Sequence, residues 1–211
     1  MQIKHGVSVF TTDEKEAGRV ERVVVHPGTR EITHLVVGGS LLFNDSRLIP
    51  VQMVASSDED RVVLLTDKDS LENLQYFEET HFVHPVEGED TEGSYASPLY
   101  WYPPAGMSTM GYPGYFAFPY TTQTEQNLPE ELVALKDGAK VTDISGDDIG
   151  EIEQVIAEEE RDKVTHFVVG WGLLQRSRKL IPAHWVEGVG ENQVRLAVHK
   201  REVERLPEYK S

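Results

Sequence analysis

The chain has 211 residues, with 36 acidic side chains against 20 Lys and Arg and no cysteine. A net charge of −16 repels phosphate backbones and anionic headgroups, which disfavours nonspecific binding to nucleic acid or membrane surfaces. Without cysteine there is no disulfide framework, thiolate metal site or cysteine nucleophile. The acid excess is spread along the chain: 14 acids against 8 bases in residues 1–85, 5 against none in 86–127, and 17 against 12 in 128–211. No apolar run nears the roughly 20 residues of a membrane-spanning helix, and Met1–Phe10 lacks the layout of a secretory signal. A cytoplasmic protein without a membrane span is the expectation.

The chain opens with Gly6-Val-Ser-Val-Phe10, a short alternating run, followed by a polar turn over residues 11–16. Gly18 then leads a strand of β-branched residues through Val25. Val20 and Val23 fall on opposite parities, so a bulge near Glu21-Arg22 is needed to turn both toward the core. His26-Pro-Gly-Thr29 has turn chemistry, and Ile32–Val37 is the returning strand. Leu41-Leu42 and Leu48-Ile49 bracket a polar tip, a second hairpin that ends at Pro50. Val51–Val54 and Arg61–Thr66 read as the last strands. A helical turn capped by Asp67 or Ser70 follows, with Leu71 and Leu74 on one side.

The same order returns 132 residues later. Ile32-Thr-His-Leu-Val-Val-Gly38 answers to Val164-Thr-His-Phe-Val-Val-Gly170, and Leu48-Ile-Pro50 to Leu180-Ile-Pro182. Without a gap, residues 3–77 align with 135–209 at about 23 identities in 75 positions, which marks a duplication. The expected organisation is one repeat over residues 1–77, a connector over 78–131 and a second repeat over 132–211. Many short strands with Gly-rich turns predict an all-β fold of two tandem small antiparallel β-barrels, each closed by a short helical turn. Closing so small a sheet removes exposed edges.

The connector changes composition. Residues 95–120 hold nine aromatics, five prolines and no Lys or Arg. Pro and Gly at that density exclude a regular helix or central strand. So many aromatics call for a surface to pack on: an irregular cover on the barrels, a sticky segment for self-association or a protein partner, or a plain spacer. Tyr100, Trp101, Tyr102, Tyr112, Tyr115, Phe116 and Phe118 are the candidate partner-binding residues. Stacking on single-stranded nucleic acid needs interleaved cations, which are missing here.

Chemistry is scarce. His34 and His166 are equivalent, and a duplicated scaffold residue accounts for them better than a duplicated catalytic one. His81 and His84, three apart with Glu78 and Glu79 nearby, are a weak metal signal, since no third fixed ligand stands with them. The acid pairs Asp147-Asp148 and Glu158–Glu160 lie in predicted turns, where nothing drives their pKa values apart. Arg176-Ser-Arg-Lys179 reads as a solvated basic loop rather than an anion site. Gly38-Gly39 and Gly170-Trp-Gly172 lead into another strand and lack the helix N-terminus that phosphate binding uses. The expectation is no enzyme, no metal and no cofactor.

These motifs resemble the PRC-barrel family, named for the H subunit of the photosynthetic reaction centre and found also in the ribosome-maturation factor RimM. The residues carrying the resemblance are Gly18 and Gly150, His26-Pro-Gly28, Leu35–Gly38 and Phe167–Gly170, Leu48-Ile-Pro50 and Leu180-Ile-Pro182, and Leu206-Pro-Glu-Tyr209. The first repeat departs at its end, with Leu74-Gln-Tyr-Phe77 in place of Leu-Pro-x-Tyr. The resemblance implies a non-catalytic scaffold that docks on other macromolecules. The duplication predicts two copies packed as an intramolecular pseudo-dimer, and docking on a protein partner is the leading expectation. Alternatives are an RNA- or ribosome-assembly factor by analogy with RimM, and a metal- or ligand-responsive sensor. Homo-oligomerisation is left open.

Overall fold

The computed structural model describes residues 1–39, 45–83, 121–158, 160–171 and 177–210. The chain divides into two compact units, one of residues 1–79 with 126–211 and one of residues 80–125. The first half contributes β1 (Gln2–Lys4), β2 (Ser8–Phe10), β3 (Glu16–Val25), β4 (Ile32–Gly38), β5 (Arg47–Pro50), β6 (Val54–Ser57), β7 (Arg61–Leu64) and α1 (Lys68–Glu72). Between the halves, β8 (Glu78–Val83) and β9 (Thr121–Gln126) pair with each other. The second half contributes β10 (Val133–Lys136), β11 (Lys140–Thr142), β12 (Asp148–Glu158), β13 (Lys163–Trp171), β14 (Ser177–Pro182), β15 (Val186–Val189), β16 (Gln193–Leu196) and α2 (Lys200–Glu204).

Two seven-stranded sheets result. One runs β5-β4-β3-β2-β7-β6 with β10 added on β3; the other runs β14-β13-β12-β11-β16-β15 with β1 added on β12. Each sheet therefore takes one strand from the opposite half of the chain. The exchange is reciprocal and in register: Ile3 pairs with Val155 and Leu135 with Val23, and both partners differ by 132. Ile3 and Leu135 are both fully buried, so each half completes its partner's core with an aliphatic side chain. At the hairpin tips the halves meet again, where the Ile32 N–H donates to the Asp162 carbonyl and the Val164 N–H to the Arg30 carbonyl, each at 2.8 Å. Arg30 and Asp162 hold the left-handed backbone there, with φ of 62° and 50°. One continuous apolar core runs through both sheets.

The bulge read from parity is present. Val20 pairs with Val37 and Arg22 with Val36, which leaves Glu21 as the extra residue; Glu153 is the extra residue in the second half. Val20, Val23, Ile152 and Val155 consequently all face the core, each at most 1% exposed. A second bulge falls at Thr33 and Thr165, whose hydroxyls bond back to the Val24 and Ile156 carbonyls at 3.5 and 3.2 Å. Gly150 has φ of 152°, and a Cβ there would collide with the Gly170 carbonyl, which explains why this strand position is glycine.

Three details differ from the sequence reading. Each sheet, expected to be antiparallel throughout, holds one parallel pair, β2 with β7 in the first and β11 with β16 in the second. Val51–Met53 is a 3-10 turn, and β6 begins only at Val54 and runs through Ser57. Pro50 has no N–H to continue a ladder, and the Val54 N–H instead closes onto the Val51 carbonyl. The end of the first repeat, despite lacking Leu-Pro-x-Tyr, closes as the second does. The Phe77 N–H donates to the Ser46 carbonyl at 2.9 Å, as the Tyr209 N–H does to the Arg178 carbonyl at 2.7 Å. Asp67 caps α1 by accepting from the Ser70 N–H at 2.9 Å.

Candidate functional site

Tyr100, Trp101, Tyr102, Tyr112, Tyr115, Phe116 and Phe118 lie outside the described residues, as does His84. His81 is in the strand β8. Among the described residues, no three His, Asp or Glu side chains gather as a metal site would.

The remaining ionisable candidates serve the fold. Lys179 donates to the Leu206 and Glu204 carbonyls at 2.5 and 3.4 Å, beside the end of α2. Its counterpart Arg47 donates to the Leu74 carbonyl at 2.6 Å. Cations at the last carbonyls of a helical turn satisfy acceptors that the helix leaves open. Arg178 pairs with the bulged Glu153 at 2.8 Å. The basic loop is thus committed at two of its three cations, Arg176 lying outside the described residues. His34 and His166 are half-buried on equivalent strands, and burial pulls the His34 imidazole below its ordinary pKa.

Among the described residues, two ionisable side chains are buried. Asp143 is 1% exposed and accepts backbone N–H bonds from Ser145, Asp147 and Lys200 at 2.8, 2.9 and 3.0 Å. Burial alone would raise its pKa, but those three donors hold it below the usual carboxylate value. It ties the turn before β12 to the start of α2. His5 is 6% exposed, at the seam where the first strands cross over. Its Nε2 lies 3.3 Å from the Leu135 carbonyl, and its Nδ1 is 3.9 Å from Asp137, the residue that stands 132 places after it. Burial drives its pKa below the ordinary value, against the pull of Asp137 and of the Leu135 and Glu153 carbonyls. The offset alone, placing an acid opposite a histidine, could have drawn notice to this pair.

A small apolar cavity opens where the two halves meet at a hairpin tip. The tip of the β3–β4 hairpin approaches β15, and between them Val164, Phe167, Ala183 and Val189 line a small cavity with His26 and Arg30 at its side. His26 Nδ1 accepts from the Gly28 and Thr29 N–H groups at 3.1 and 3.2 Å, which leaves Nε2 to carry the proton in the neutral ring. Glu187, also on the lining, pairs with Arg195 at 3.2 Å. An apolar hollow flanked by cationic or N–H donor groups can hold an apolar group that carries an anion. Nothing in it resembles a nucleophile with its base.

No helix among the described residues is long and apolar enough to cross a membrane. None of the curated proteins matches the chain. Residues 5–71, covering most of the first half from β2 into α1, match the family model described as the PRC-barrel domain.

Proposed function

We propose that this chain is a non-enzymatic scaffold of the PRC-barrel type, built from two closed barrels, which docks on a protein partner. The match of residues 5–71 to the PRC-barrel domain carries this reading. The second half is a further copy of the same module: its bulge at Glu153, its threonine back-bond at Thr165 and its closing bond at Tyr209 all stand 132 residues after those of the first. The two copies form a pseudo-dimer, and the reciprocal exchange of β1 and β10 supports it. The bulged Glu153 also fits a scaffold, because it is paired with Arg178. The absence of cysteine fits a reducing cytoplasmic setting.

Docking uses a barrel face together with the aromatic connector. Affinity capture from the native cell, with partners identified by mass spectrometry, tests this. Replacing Tyr100, Trp101, Tyr102, Tyr115, Phe116 and Phe118 by alanine should remove most of the captured partner. Unchanged capture by that variant would contradict the role given to the connector, and capture of nothing by the parent chain would contradict docking itself.

A further inference from the structure

We infer that the free edge of β15, together with the adjoining hollow, takes the carboxy-terminal tail of a partner protein that ends in a small branched apolar residue such as valine. This rests on the docking reading above and names the place and chemistry of one contact. β15 ends the strand path of its sheet, pairing with β16 on one side and with no strand among the described residues on the other. An open edge is a template for one more strand, whose main-chain bonds supply affinity while adjoining pockets choose the side chains.

The hollow beside the edge sets the last residue. Its volume is about 30 Å³, on a scale where one water needs roughly 10–15 Å³. That suits a branched alkyl side chain and is too small for a drug-sized ligand. Val164, Phe167, Ala183 and Val189 give it apolar walls. The charge beside it sets the terminus. Arg30 has no carboxylate partner among the described residues, and His26 keeps its Nε2 proton available. On a chain of net charge −16, an uncommitted guanidinium next to an apolar hollow selects a carboxylate locally, through charge-assisted hydrogen bonds. The first half lacks this arrangement: Asp162 stands where Arg30 would. One chain therefore offers one such site.

The test titrates the full-length, 15N-labelled chain with an acetylated Thr-Ala-Thr-Val peptide bearing a free carboxylate, and separately with its carboxy-terminal amide. Saturable amide shifts at Val186–Val189 are expected for the acid, with a dissociation constant below about 1 mM, and at least about tenfold weaker binding for the amide. Arg30→Asn tolerates the left-handed turn and should weaken the acid by a similar factor. Ala183→Leu narrows the hollow without touching the charge, and should weaken both peptides. Equal binding of acid and amide, or no shift along β15, would overturn the site. If the parent chain still captures its cellular partner while the peptide fails, the tail site is wrong and docking stands; if nothing is captured either, the reading beneath it goes too.

Discussion

The outer faces of the two sheets are built from matching strands, and they differ in what lies over them. On the first, Val24, Val36, Leu48 and Phe77 are buried, and Leu128 and Leu132 pack against them. At the matching positions of the second, Val168 is buried, but Ile156, Leu180 and Tyr209 are only half-buried. The inner faces have kept their aliphatic character in both halves, since both feed one shared core. The outer faces have drifted apart. Packing constrains a core from every side, whereas an outer face answers only to whatever covers it. Phe77 is roofed by local chain, with Arg22 stacked 4.9 Å from its ring centre, while Tyr209 keeps a hydroxyl suited to a wetter position.

The largest expected effect breaks this contrast directly. Phe77→Ala should cost about 3–5 kcal/mol in urea unfolding, because it opens a cavity under a filled roof. Tyr209→Ala should cost about 1–2 kcal/mol, since part of its ring already faces water. Equal losses would mean that the two faces are packed alike. A smaller effect tests the seam. Burial lowers the folded-state pKa of His5 below its ordinary value of 6.5, so the folded chain favours the neutral ring. That stability is present above about pH 6.5 and is lost as pH falls below it, when the unfolded state takes up the proton first. The melting temperature should therefore fall between pH 7.5 and 5.5, and fall less in His5→Gln. An identical slope in the variant would remove His5 from the account; His34, half-buried and shifted the same way, supplies the slope that remains.

Much of the fold was legible in the sequence because it is written twice. The valines of opposite parity located the Glu21 bulge, and the constant offset located Glu153. What could not be read was which sheet each first strand would join. β1 is three residues long, and its single core residue, Ile3, would satisfy either sheet equally well. Periodicity reports which way a side chain faces and says nothing about the partner strand. The hollow at Arg30 was illegible for a similar reason. Its walls come from β13, β15 and the hairpin of the other half, more than 130 residues apart, and no local motif joins them. Arg47 and Lys179 were opaque as well, because a cation that serves a helix end looks in sequence like any surface charge.

The reciprocal exchange of first strands is the claim on which the pseudo-dimer stands, and native-state hydrogen exchange of Ile3→Ala and Leu135→Ala tests it most directly. Each substitution should destabilise the chain by about 2–5 kcal/mol. Ile3→Ala, though near the amino terminus, should speed amide exchange first in β12 and β13, and Leu135→Ala first in β3 and β4. Loss of protection confined to each residue's own half, with Ile3→Ala loosening β3 and β4 and leaving β12 untouched, would contradict the exchange.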